Sequence, residues 1–208
     1  MFYKHRTFQL WARRLHIYVS MAVLGLMLFF AVTGITLNRP ELFVASQAKT
    51  SEWRVTIPQH LLFVESKVAI NEPELRQFLA QHTPIRGQMS RLDIYLDSDN
   101  GVLQEGEASA SFTAPGYSAA LFIDLVSREA ELDISDYGWV AKFNDLHKGR
   151  HSGEWWKWVI DVSSLLMLVF ILSGLALLLP KKSTLRYAIR WCSFGTLITF
   201  VIYWLAVP

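Results

Sequence analysis

The sequence predicts a membrane protein with three transmembrane helices and a small extracytoplasmic α+β domain inserted between helices 1 and 2. Three observations predict it. Uncharged apolar runs cover Ile17–Leu37, Val162–Leu179 and Trp191–Pro208, of 21, 18 and 18 residues, and roughly 20 such residues span a bilayer core. Lys and Arg, without any acid, mark the first 16 residues (Lys4, Arg6, Arg13, Arg14) and the segment 180–190 (Lys181, Lys182, Arg186, Arg190). Short basic segments of this kind stay on the cytoplasmic side. The section 38–154 instead holds 11 Lys and Arg against 17 Asp and Glu, a formal balance of −6, so its export does not conflict with the charge rule.

The elements follow in order. Residues 1–16 read as a cytoplasmic amphipathic lead-in, in which Phe8, Leu10, Trp11 and Leu15 alternate with Arg13 and Arg14; such a segment anchors at a lipid surface. Residues 17–37 form helix 1. Its apolar core exceeds the ~7–15 residues of a signal peptide, so it is expected to be retained. Asn38-Arg39-Pro40 closes it, because proline cannot continue a helix. Residues 38–154 make the inserted domain, 155–179 helix 2, 180–190 a basic cytoplasmic loop and 191–207 helix 3. Three spans put the C-terminus outside. The expected setting is a bacterial inner membrane.

Within the inserted domain, Trp53–Ile57 reads as a strand. Glu72–His82 reads as a helix, since Leu75, Phe78, Leu79 and His82 recur at i, i+3, i+4, i+7. Arg91–Leu96 alternates as a strand, Asp97–Gly101 is turn chemistry, and Val102–Leu103 begins a return strand. Ser111–Ala114 and Ala119–Asp124 read as further strands.

Composition excludes several classes. The chain has 208 residues, is 52% hydrophobic and has a mean hydropathy of +0.25. A net charge of +2 hides the asymmetry above and gives no reason to expect nucleic acid. The single cysteine, Cys192, forms neither an internal disulfide nor an iron–sulfur or zinc cluster. There is no Gly-rich nucleotide fingerprint, P-loop, nucleophile elbow or zinc-protease helix.

The residues that carry chemistry gather before helix 2, in Phe143–Asp161. His147 and His151 are four apart and, if helical, share one face. Trp155, Trp156 and Trp158 follow, as at a membrane–water interface. The pair can bind zinc only with further ligands, such as Asp145 or Glu154, and Lys148 and Arg150 between them oppose a cation. Those same residues, with Arg39, suit an anion, and a lipid phosphate is the first expectation. Asp161 lies about one turn inside helix 2, where a carboxylate is costly and marks a functional candidate; pairing with Lys157 at i−4, or with the external end of helix 1, is the expectation set against it. Both helix 1 (Thr33-Gly34-Ile35) and helix 2 (Ser173-Gly174-Leu175) carry a hydroxyl residue, a glycine and an apolar residue, and small residues permit close helix approach.

Two stretches resemble the PepSY-associated transmembrane proteins: Leu15-His-Ile-Tyr-Val-Ser running to Thr33-Gly-Ile-Thr-Leu-Asn38, and Leu146-His-Lys-Gly-Arg-His-Ser-Gly followed by Trp156-Lys-Trp-Val-Ile-Asp161 and Leu172-Ser-Gly-Leu175. The resemblance spans about residues 8–190 and implies a short, three-span member with a PepSY-like inserted domain. It further implies an inner-membrane reductase-type electron-transfer subunit. Such a subunit uses b-type haem, or flavin on a partner, and acts on an acceptor such as a ferric complex. Carried over, His16, His147 and His151 become candidate haem ligands, and Arg39, Lys148 and Arg150 candidate propionate or anion contacts. Arg39 stands where the resemblance leads one to expect histidine.

Electron-transfer haem usually takes two axial ligands. His16 is expected near the cytoplasmic face and His147 near the other, with ~30 Å of hydrocarbon between. A trans ligand must then come from a homodimer or another redox membrane subunit. The competing reading is a non-catalytic membrane module whose domain binds or regulates a periplasmic protein; a transporter accessory subunit is a third.

Overall fold

The computed structural model describes residues 5–43, 48–64, 67–99 and 102–207. Lys4 of the lead-in, the turn residues Asn100 and Gly101, and Pro208 lie outside them. The chain forms two compact units, Met1–Leu28 with Val159–Pro208, and Phe29–Trp158.

The first unit is helical. It holds most of α1 (Arg6–Asn38), most of α6 (Gly153–Leu178) and α7 (Lys182–Ala206). These three helices are long and apolar enough to cross a membrane. Helix α1 runs unbroken for 33 residues, so the lead-in and the first span are one helix from Arg6 onward. No proline or glycine interrupts it before Gly25, and its side chains are mostly good helix formers. The segment 180–190, expected as a loop, is helical from Lys182. After Pro180 the next ten residues lack Gly and Pro, and nothing stops a helix there. Ala12, Val19, Val23, Ser163 and Ser173 are buried: small or β-branched side chains let α1 and α6 approach closely.

The second unit is strand-rich. Its sheet is built from β1 (Lys49–Thr56), β4 (Gln88–Met89), β5 (Asp93–Asp99), β6 (Val102–Ala114), β7 (Tyr117–Asp124) and β8 (Glu129–Asp136). The order is β1-β8-β7-β6-β4, with β5 also on β6, and every pairing is antiparallel. A two-stranded piece pairs β2 (Phe63–Val64) with β3 (Lys67–Val68). The short helices α2 (Pro40–Phe43) and α3 (Gln59–Leu62), then α4 (Glu72–His82) and α5 (Gly138–Lys148), complete it.

Alternation explains the sheet. Tyr117, Ala119, Leu121 and Ile123 of β7, and Ala130, Leu132 and Ile134 of β8, point inward, as period-2 side chains on one face must. They form one core with Ile57, with Leu61 and Leu62 of α3, and with Leu75 and Leu79 of α4. Each fully buried leucine contributes about 1.5–3 kcal/mol of transfer free energy. Helix α4 starts where Asn71 Oδ1 accepts the Glu74 N–H at 3.4 Å, with Pro73 in the first turn. β7 and β8 join through an Asx turn in which Asp124 accepts from Val126 N–H and Ser127 Oγ. β8 has no counterpart in the sequence reading, although its burial alternates from Glu129 to Ile134.

Candidate functional site

Helix α5 carries His147 in its last turn, and its end is specified locally. Gly149 adopts the left-handed conformation, φ 67°. Its N–H bonds Leu146 O at 3.2 Å, and the Arg150 N–H bonds Asp145 O at 2.9 Å, the paired bonds of a Schellman cap. His151 follows at φ 52° and Gly153 at φ 77°, and α6 begins. His147 and His151 therefore do not share a helix face. The left-handed glycine between them ends the helix, so their four-residue spacing does not translate into one turn.

His147 instead packs against the end of α1. Its Nδ1 lies 2.6 Å from Thr33 Oγ1, its ring meets Phe30 edge-on with centroids 5.1 Å apart, and a Cβ at Gly34 would sit 3.9 Å from its Cε1. One turn back, Thr36 Oγ1 donates to Oδ1 of the buried Asn144 at 2.6 Å. On the sheet side the Gly116 N–H donates to Asp145 Oδ2 at 2.8 Å. Trp156 Nε1 donates to Leu146 O at 2.8 Å, pinning the same turn. At the other end of α5, the Gly138 N–H and Arg86 both bond Asp136. The Gly138 bond, followed by the Arg86 charge, holds the Asp136 carboxyl below its ordinary range.

In the helical unit His16 occupies a matching place. Its Nδ1 lies 3.0 Å from Ser173 Oγ and 3.1 Å from Phe170 O on α6. Its ring stacks on Phe170 with centroids 4.5 Å apart. A Cβ at Gly174 would lie 3.1 Å from its Cε1. Gln9 Nε2 donates to Ala176 O at 3.1 Å. An apolar groove of about 360 Å³ opens beside this contact, lined in part by Trp11, Ala12, Leu172 and Ser173.

Counting protons assigns both rings. Phe170 O accepts only, so His16 must donate from Nδ1 to it. Thr33 has one hydroxyl proton, and it goes to Phe29 O at 2.6 Å; His147 must then donate from Nδ1 to Thr33 Oγ1. In the neutral imidazole this leaves each Nε2 with a lone pair, and among the described residues no hydrogen bond is made to either Nε2. His82 also bonds a carbonyl through Nδ1, at 2.8 Å, but that carbonyl is Phe78 O of its own helix.

The other candidates sit apart from this pattern. His151 is exposed, as are Lys148 and Arg150. Arg39 Nη1 lies 3.9 Å from Glu41 Oε1. Asp161 is exposed, and its side chain has no ion pair among the described residues; Lys157 pairs with Glu154 at 2.6 Å instead. The expected Lys157–Asp161 pair is thus replaced by a pair one turn earlier. Among the described residues no group of three or more His, Cys, Asp or Glu is placed to hold a metal ion.

Residues 10–208 match the model of a family described as Putative PepSY_TM-like. The chain belongs to this family. No curated protein and no solved structure matches it. For the PepSY_TM-like chain, the donor chemistry at His16 and His147 fits an axial haem ligand. Metal-bound histidines characteristically donate their other ring N–H to a carbonyl or similar acceptor, which fixes the tautomer. The sequence reading named both histidines and both hydroxyl–glycine pairs. It missed that each pair receives a histidine. The available signal was the phenylalanine three residues before each hydroxyl, Phe30 before Thr33 and Phe170 before Ser173.

Proposed function

We propose that the protein is an electron-transfer subunit of a bacterial inner membrane, with residues 1–16 cytoplasmic and 38–154 extracytoplasmic. His16 and His147 would hold b-type haem through Nε2. The observation that carries this reading is shared by the two histidines: each donates Nδ1–H to a neighbouring helix, and among the described residues no hydrogen bond is made to its Nε2. Bound haem supplies a reversible one-electron iron couple. The chain orients each imidazole, and the groove beside Ser173 offers apolar surface of the kind that excludes water from a cofactor. Lys148 and Arg150, being exposed cations, suit propionates or an anionic ferric complex. The reading includes a second copy or another redox subunit, which would supply a further haem-holding residue and could itself carry flavin.

An absorption spectrum of detergent-purified protein, with a pyridine haemochrome assay, tests it. A Soret band with sharp reduced α and β bands is expected. His147→Ala and His16→Ala each remove most of the pigment, and His151→Ala retains it. Colourless protein from cells supplied with haem overturns the reading.

A second reading is favoured by β1. It is an edge strand, exposed at seven of its eight positions, with Trp53 43% exposed. A strand edge of this kind pairs with an added strand from another protein. A non-catalytic module that binds a periplasmic protein in this way co-purifies with that partner and without pigment. Proline replacements along β1 abolish the capture.

A further inference from the structure

The two histidine contacts are built on one sequence device. Phe30-Ala-Val-Thr-Gly34 and Phe170-Ile-Leu-Ser-Gly174 share the pattern Phe, two apolar residues, a hydroxyl residue and glycine. Each element of the pattern has a physical task. The glycine keeps the helix surface low where the ring approaches: at position 174 a Cβ would crowd His16 at 3.1 Å, while at position 34 it would meet His147 at an ordinary contact distance of 3.9 Å. The phenylalanine, one turn earlier, gives the imidazole an aromatic wall, edge-on at Phe30 and stacked at Phe170. The hydroxyl commits its own proton to its helix, to Phe29 O at 2.6 Å for Thr33 and to Phe170 O at 2.8 Å for Ser173. It can then only accept from the histidine.

We infer that the Phe-x-x-(Ser/Thr)-Gly pattern is a duplicated notch that selects the Nδ1–H tautomer of an incoming histidine, with Thr33 and Ser173 as positioning residues that leave Nε2 as the presented atom. The two notches differ in redundancy. Thr33 Oγ1 is the acceptor for His147 Nδ1. Ser173 shares His16 Nδ1 with Phe170 O. Thr33 therefore controls its histidine more completely than Ser173 does. The use of the presented Nε2 for haem rests on the proposed function; the tautomer does not.

The test uses full-length protein with ¹⁵N-labelled histidine in nanodiscs, at mildly alkaline pH where a free imidazole is neutral. Two-bond ¹⁵N–¹H correlations report the tautomer of each ring, assigned by single His→Ala variants. Without haem, His16 and His147 are expected as single Nδ1–H tautomers and His151 as an averaged mixture. Thr33→Val converts His147 to a mixture, and Thr33→Ser restores it. Ser173→Ala leaves His16 mainly Nδ1–H, held by Phe170 O. A wild-type signal showing Nε2–H, both nitrogens protonated, or averaging at either histidine overturns the inference. So does a Thr33→Val spectrum identical to wild type. In pigmented protein, Thr33→Val also shifts the haem midpoint potential and Thr33→Ser restores it; an unmoved potential overturns the positioning role. Colourless protein with the expected tautomers removes the haem reading and leaves the notch standing.

Discussion

The two notches place the same imidazole atom against the same kind of helix surface, but they are braced differently. His147 hangs from α5, a helix of 11 residues fixed by polar bonds on three sides: Thr33 and Thr36 on α1, Gly116 of the β6–β7 turn, and Trp156 of α6. His16 is part of α1 itself and is held by two acceptors on α6 and a ring stack. One histidine is positioned by the strand-rich unit and the other by helix packing alone. A protein that needs two oriented imidazoles can thus make one of them answerable to a folded domain. Damage to the sheet reaches His147 and spares His16.

The largest expected effect follows from that dependence. Gly116 has φ +68°, and a Cβ there would lie 2.6 Å from the Lys142 backbone nitrogen in α5. Backbone cannot give way as a flexible side chain does. Gly116→Ala is expected to cost about 2–3 kcal/mol, from left-handed strain and overpacking together. It should lower the melting temperature of the strand-rich unit and disturb the His147 resonance while leaving that of His16 in place. Equal disturbance at both histidines would break the comparison. A smaller effect separates the hydroxyls. Thr36→Val leaves Oδ1 of the buried Asn144 without its donor and is expected to cost about 1–3 kcal/mol. Ser173→Ala, with Phe170 O remaining, is expected to cost about 0.5 kcal/mol. Denaturation in detergent, monitored by tryptophan fluorescence, orders the two.

The glycines sharpen the comparison further because their signs differ. Alanine is favoured over glycine inside a helix by about 1 kcal/mol. At position 34 the added methyl finds ordinary contact distance, so Gly34→Ala is expected to stabilise by up to about 1 kcal/mol. At position 174 the 3.1 Å approach to Cε1 meets a ring that two hydrogen bonds and a stack prevent from moving. Gly174→Ala is expected to lose that gain, to destabilise slightly, and to shift the His16 signals. Alanine stabilising at both positions would show that His16 is free to yield.

These contrasts also show what the sequence made legible. The three long apolar helices followed from the length of their uncharged runs, and α4 from its 3.6-residue periodicity, because those signals are local. His147 could be named from its place beside His151 ahead of the tryptophans and the apolar run, and His16 from the family resemblance. Their partners could not, since Thr33 and Ser173 look like ordinary small residues until another helix lies against them. The proposed helical face shared by His147 and His151 failed for a local reason: Gly149 takes a left-handed cap, a stop signal that the His spacing obscured. The pairing of Lys157 with Glu154, and not with Asp161, was settled by a choice between i−3 and i−4 that spacing alone does not make.

The smallest expected effect separates the two units by acid. Of the 18 Asp and Glu residues, Asp161 alone falls in the helical unit. Among the described residues of the strand-rich unit, two carboxyls lie below their ordinary range. Asp124 is lowered chiefly by the Ser127 hydroxyl and then by Val126 N–H, and Asp136 chiefly by the Gly138 N–H at the start of α5. A carboxyl whose folded pKa is depressed favours folding above its unfolded pKa, about 3.9 for Asp, and that contribution disappears as pH falls through the lower, folded value. Both groups are solvent-accessible, so each effect is modest. The melting temperature of the strand-rich unit is expected to hold from neutrality to about pH 4 and then to decline. Asp136→Asn should lower the plateau slightly and flatten the acid limb, with the first loss of order at α5. Because α5 carries His147, its resonance should broaden on that acid limb before that of His16 does. Simultaneous broadening would mean that α5 draws its stability from α1 and not from the Asp136 bond at its start.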